Sequence, residues 1–249
     1  MLESFDKPVV FAHRGASKYA PENTIAAFEL AVKQGADAIE LDAKLSADGK
    51  VVVIHDQTVD RTTNGTGRVN KLTLSEMKEF DAGSFFDSKF STERIPTLDE
   101  VFEIVGRRIF INVELTNYAS QNDELVPLVA EIVKRHGIQN NILFSSFAPA
   151  NLRRARQLLP EVPVGLLALT GVMGTLNRSR YFLNLSPKIL HPYLADVNSR
   201  LVVREHERGR RVHVWTVNEE KDLRRMKELG VDGVFTDDPI TTLRVLRGK

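Results

Sequence analysis

The sequence predicts an α/β fold, a closed (β/α)₈ TIM barrel, and three observations predict it. Short β-branched runs alternate with amphipathic stretches, eight such runs are present, and 249 residues is the span of such a barrel folded as one domain. The runs are 9–13, 38–42, 110–115, 142–146, 164–168, 188–191, 212–217 and 233–236. Helices are predicted at 23–34, 122–136, 149–159, 173–183, 198–208, 219–229 and 239–246, each following a strand directly or after a short loop. Only the second strand departs, because an excursion precedes its helix at 97–105.

Each element has a local cause. Pro21-Glu22-Asn23-Thr24 opens the first helix, whose Ile25, Phe28, Ala31 and Val32 share one face. The second strand, 38–45, meets Asp48-Gly49, a two-residue hairpin signal, and 51–55 runs back. With Asp48-Gly49 as the central pair, Asp42 is expected opposite His55, and Glu40 shares Asp42's face by the two-residue period. Residues 57–96 are rich in Thr, Asn, Gly, Ser and Phe and read as a small insertion over the strand ends. The expected organisation is a single domain over 1–249, with the hairpin and insertion at about 43–96. Thr97 with Glu100 forms a capping box for the next helix, where Leu98, Val101, Phe102 and Val105 make the apolar face.

Composition narrows the function. Lys and Arg number 34 against 33 Asp and Glu, a net charge of +1, so no basic field awaits nucleic acid or a membrane surface. Without cysteine there is no disulfide, Cys-ligated zinc or thiol nucleophile. No stretch approaches the roughly 20 apolar residues of a membrane span, and the N-terminus lacks a signal-peptide core. A soluble, cytoplasmic protein without stable membrane association is expected; oligomeric state leaves no mark in one sequence.

Barrel enzymes work at the C-terminal ends of their strands. Those ends carry His13-Arg14-Gly15, Glu40-Leu41-Asp42, Glu114, Ser145-Ser146-Phe147, His191, Trp215 and Thr236-Asp237-Asp238, with His55 added by the hairpin. Glu40, Asp42 and Glu114 are hard oxygen donors that would repel one another without a cation, and such a set suits Mg²⁺ or Ca²⁺. An isolated Glu-x-Asp reads as half of an ion pair; beside Glu114 and two histidines it reads as a metal site. His13 and His55 can serve as general acid and base, and Arg14 suits an anionic oxygen. A divalent cation, an arginine and a histidine pair together describe phosphoryl chemistry. His191 at its strand end reads as structural, and His136 and His206, late in helices, suit the helix dipole.

These motifs, with Arg61-Thr62-Thr63-Asn64-Gly65-Thr66-Gly67, Ile95-Pro96-Thr97-Leu98, Trp215-Thr216-Val217-Asn218 and Asp238-Pro239, resemble the motif set of the glycerophosphodiester phosphodiesterase family, in order along nearly the whole chain. The resemblance implies a metal-dependent barrel that cleaves a small-molecule glycerophosphodiester to glycerol 3-phosphate and an alcohol. It implies Glu40, Asp42 and Glu114 as metal ligands, His13 and His55 as the acid/base pair, and Arg14 at the phosphate. Trp215, and similarly Phe147, would line the glycerol side of the pocket; barrel core is the alternative for both. One position departs: the family commonly carries Lys two residues after the third carboxylate, where this chain has Thr116. Lys44 shares the face of Glu40 and Asp42, but a solvent-facing Lys44 is expected. Because of Thr116, a degenerate barrel that binds a phosphodiester without turnover is the rival reading, and a lysophospholipase D-like enzyme is a variant within the family. Head-group discrimination is expected from 57–96 and the loop at 170–180.

Overall fold

Each parallel ladder hands on to the next until the first strand meets the last. The computed structural model describes residues 4–120, 122–171, 174 and 188–248. Its strands are β1 Val9–Ala12, β2 Ala38–Leu45, β3 Val51–Val53, β4 Phe110–Leu115, β5 Ile142–Ser146, β6 Val164–Ala168, β7 Ile189–Pro192, β8 Arg211–Val214 and β9 Gly233–Thr236. All but β3 form the barrel, and β1 pairs in parallel with both β2 and β9, which closes it. The helices are α1 Ile25–Lys33, α2 Leu74–Lys78, α3 Leu98–Val105, α4 Leu125–His136, α5 Pro149–Leu158, α6 Ser199–Glu207, α7 Glu220–Glu228 and α8 Pro239–Arg247. Of the expected helix at 173–183 only residue 174 is among the described residues, and the loop at 170–180 also lies largely outside them.

The pleat sorts side chains into two cores. Val9, Phe11, Ala38, Phe110, Leu143, Ile189 and Phe235 fill the barrel interior. Alternate residues such as Ala12, Ile39, Leu41, Ile111 and Val113 face outward and pack under the helices with Phe28, Leu98 and Leu125. Each large side chain removed wholly from water contributes about 1.5–3 kcal/mol, so this sheath carries much of the fold. Helix starts follow their caps: Thr24 accepts from Ala27 N, and Thr97 and Glu100 form the reciprocal box that opens α3.

The hairpin corrects one expectation. Ala43 faces Val53, Lys44 faces Val52 and Leu45 faces Val51, and Ile54 N donates to Asp42 O at 3.0 Å. Asp42 therefore lies opposite Ile54, not His55. The loop holds three residues: Ser46 N donates to Lys50 O at 3.0 Å and Gly49 N to Ser46 O at 3.1 Å. Ala47 and Asp48 centre the turn, and Gly49, at φ +72, takes the left-handed position that a side chain resists. The insertion then folds back as a small lobe in which Val52, Ile54, Val59, Val69, Met77, Ala82 and Ile95 bury one another.

Candidate active site

Inward parity on β2 places Glu40, Asp42 and Lys44 on one face, and on β4 Asn112, Glu114 and Thr116. The ladder pairs Glu40 with Asn112 and Asp42 with Glu114, so the carboxylates of two neighbouring strands converge. Ligand oxygens of Glu40, Asp42 and Glu114 lie within 4.8 Å of one another. Burial, then Asp42 and Glu114, drive the Glu40 carboxyl well above the usual range. Burial and Asp42 push Glu114 up to about 8, against the Tyr118 hydroxyl that donates to it and the charges of Lys44 and Arg14. Three crowded carboxylates with only oxygen donors fit a hard divalent cation, whose charge would offset their mutual repulsion.

Arg14 closes one side. It stands at φ +58, which turns its backbone N–H onto Glu40 Oε2 at 3.0 Å. Its Nη1 donates to Glu22 Oε1 at 2.8 Å, and its Nε lies 3.6 Å from Asp42 Oδ2. Burial works against this guanidinium, but Asp42, Glu22 and Glu40 outweigh it and hold its pKa above the ordinary value. Asn23 latches Asp42 by donating Nδ2 to Oδ2 at 2.9 Å. Pro21-Glu22-Asn23-Thr24 thus orients Arg14 and Asp42 as well as capping α1.

Both histidines are held in the same way. His13 Nδ1 lies 2.7 Å from Asp237 Oδ1, and Asn218 Nδ2 donates to the other oxygen of Asp237 at 2.6 Å. His55 Nδ1 lies 2.7 Å from Asp56 Oδ1, and Arg61 Nε donates to Asp56 Oδ2 at 2.6 Å. The Arg61 bond, against some burial, lowers Asp56 to about 2. Burial raises Asp237, but bonds from His13 and Asn218 prevail and lower it. With Nδ1 engaged, Nε2 is the ring nitrogen that each imidazole can offer to a proton transfer.

His13, Arg14, Glu40, His55, Glu114, Phe147 and Trp215 line one pocket, together with Asn112, Ser145, Leu167 and Phe235. Asp42 stands behind Glu40 and Glu114 in the carboxylate triad. His55 arrives there despite the shifted register because the chain leaves the ladder after Val53. Phe147 and Trp215 make an aromatic wall, ring centroids 5.6 Å apart, and Trp215 Nε1 is fixed on His191 O at 2.8 Å. A second, polar cavity of about 430 Å³ opens beyond His13 and Arg14, lined also by Lys18, Glu22, Glu219 and Asp238.

Lys44 is not solvent-facing: it is 6% exposed, and its Nζ donates to Thr116 Oγ1 at 2.7 Å. Burial lowers its pKa, while Asp42, Glu114 and Asp56 favour its charge. The ammonium therefore stands beside the very residue that replaces the expected lysine. His136 and His206 pair with Asp99 and Asp232 away from the pocket. Reading the sequence missed the parts played by Asp56, Asp237 and Tyr118. For Asp237 a signal existed: Thr236 beside Ala12 in the closing ladder puts Asp237 next to His13.

The model of the Glycerophosphoryl diester phosphodiesterase family matches residues 13–241. A glycerophosphodiester phosphodiesterase of Caldanaerobacter subterraneus is 41% identical over 97% of this chain and 98% of its own length. A putative glycerophosphodiester phosphodiesterase of Bacillus subtilis is 40% identical over 92% of this chain and 94% of its own. Among solved structures, an Oleispira antarctica phosphodiesterase in complex with the product sn-glycerol-3-phosphate superposes with a TM-score of 0.87 at 33% identity, covering 96% of both chains.

Proposed function

This chain belongs to the glycerophosphoryl diester phosphodiesterase family and is a phosphoric diester hydrolase, and we propose that it cleaves glycerophosphodiesters to glycerol 3-phosphate and an alcohol with a divalent cation and a histidine pair. One observation carries the reading: two histidines, each with Nδ1 on a carboxylate, face one pocket that also holds the buried acids. We assign this activity to a single domain over 1–249, the insertion being a lobe of it.

Glu40, Asp42 and Glu114 would hold Mg²⁺ or Ca²⁺, which when bound supplies a Lewis acid for a non-bridging phosphate oxygen. Arg14 offers its remaining N–H groups to the phosphate from the rim of the same pocket. His13 and Arg14 line both cavities, so the phosphate of a bound diester lies beside them. Its glycerol packs on Phe147 and Trp215, and the alcohol half occupies the polar cavity. His55 Nε2 takes the proton from the attacking oxygen, which forms the new P–O bond. His13 Nε2–H gives its proton to the alcohol oxygen as the old P–O bond breaks. Asp56 and Asp237 hold the two rings through Nδ1, so neither must reorient during turnover. Water serves as the attacking oxygen, or the glycerol 2-hydroxyl in a first step that gives a cyclic phosphate.

The test is release of glycerol 3-phosphate from glycerophosphocholine by chelator-stripped protein, with Mg²⁺, Ca²⁺ or neither returned. Release is expected only with a cation, and Glu114→Gln should abolish it. Cation-independent release would overturn the metal reading. No release from any glycerophosphodiester would leave a binding barrel.

A further inference from the structure

Two motifs meet beside the pocket: the loop of Glu22, which orients Arg14, and the stretch 61–67 in the insertion. Arg61 joins them. Its Nε donates to Asp56 Oδ2 at 2.6 Å and its Nη2 reaches Asp56 Oδ1 at 3.3 Å. Its Nη1 donates to Glu22 Oε2 at 2.7 Å, and Nη2 to Glu22 Oε1 at 2.8 Å. One planar guanidinium thus grips two carboxylates along two edges, a geometry that a lysine cannot reproduce. Asp56 in turn holds His55, and Glu22 holds Arg14. The result is a continuous chain from His55 through Asp56, Arg61 and Glu22 to Arg14, in which acid and arginine alternate from Asp56 onward.

The rest of the stretch builds the mount. Thr63 Oγ1 donates to Val59 O at 2.8 Å and accepts from Gly65 N at 3.0 Å. Asn64 and Asp81 exchange hydrogen bonds, N to O at 3.1 Å and N to Oδ1 at 2.9 Å. Gly65 lies so close to the Phe80 ring that a Cβ there would stand 2.6 Å from it. The Arg61 side chain is 47% exposed, and ion pairs this open contribute little to folding. What a fork of this quality secures is geometry.

We propose that Arg61 is a positioning residue: by holding Asp56 and Glu22 in one fork, it sets the His55 imidazole and the Arg14 guanidinium in fixed relation across the pocket. This rests on the roles given above to His55 and Arg14, and the experiment separates the two claims. Arg61→Ala, Arg61→Lys and His55→Ala are assayed on glycerophosphocholine with and without guanidinium chloride at tens of millimolar, alongside melting temperature. Arg61→Ala should lose about 10²-fold in kcat/KM with its melting temperature nearly unchanged, the cost of a misplaced catalytic group. Guanidinium should return at least about tenfold to Arg61→Ala and nothing to His55→Ala. Arg61→Lys should stay impaired. Activity of Arg61→Ala near wild type, or a loss that guanidinium does not relieve, overturns the proposal while leaving the proposed function intact. Near-normal turnover in His55→Ala removes the role on which both rest.

Discussion

Two pairs of histidines share this barrel, one at its mouth and one inside it, and their surroundings are opposite. At the mouth, His13 and His55 have side chains 21% and 42% exposed, each with Nδ1 on a carboxylate. Inside, His191 and His213 are wholly buried, their rings stacked 5.2 Å apart against Phe11 and Phe235. Among the described residues, none of their four ring nitrogens has a hydrogen-bond partner. Burial alone pushes His191 down to about 3, and burial with its neighbour drives His213 well below the ordinary value. The same side chain is thus placed to carry a proton where a carboxylate and an open pocket meet it, and packs as a neutral aromatic filler where neither does.

The largest test of that contrast is replacement at the mouth. His13→Ala and His55→Ala should each lower turnover about 10²–10⁴-fold with little change in melting temperature, measured on glycerophosphocholine with Mg²⁺. A mouth variant that unfolds would erase the distinction between the pairs. The two mouth residues should then differ from each other. With a p-nitrophenyl diester, whose leaving group needs no proton, the His13→Ala defect should largely disappear while that of His55→Ala persists. Equal defects on both substrates would reverse or dissolve the assignment of acid and base.

The inner pair should appear instead in acid stability. His191 binds no proton in the folded state until about pH 3, whereas in the unfolded chain it charges below about 6.5. The unfolded state therefore binds more protons across that window, and stability falls as pH drops from about 6.5 toward 3. At about 1.4 kcal/mol per pH unit, this one residue accounts for at most about 5 kcal/mol at the acid end. His191→Leu should flatten the acid limb of a urea-denaturation series and leave stability at pH 7 within about 2 kcal/mol. An unchanged acid limb would mean that the ring finds a partner when charged.

Lys44 gives the smallest effect. Lys44→Met removes a cation beside the acids, so binding of Mg²⁺ by titration calorimetry should tighten by about threefold or more while turnover falls about tenfold. Unchanged affinity would place its charge outside the field of the triad.

The barrel was legible because period and caps agree: the strands at 110–115, 142–146, 164–168 and 233–236 fall where the alternation puts them. Thr97, Pro149 and Asp238-Pro239 mark helix starts to within a residue. Glu40, His13, Arg14 and Glu114 were legible as strand-end residues. The hairpin register was not, because Asp48-Gly49 has the same letters whether Gly49 centres a two-residue turn or closes a three-residue one. Asp237 reaches His13 only through barrel closure, from 224 positions away. Tyr118 comes from a loop beyond β4, which no period describes. Lys44 was misjudged because its parity pointed inward while the usual preference of lysine pointed to water.

The bond from Lys44 to Thr116 spans adjacent parallel strands two residues beyond the rung that pairs Asp42 with Glu114, at the next level on the same face. On such a rung two side chains enter the same space from neighbouring backbones, so a charge has two interchangeable addresses. Exchanging the pair, Lys44→Thr with Thr116→Lys, would move the ammonium's anchor by one strand and leave its head near where it began. A motif read along one strand can thus lack a charge that the neighbouring strand carries beside it.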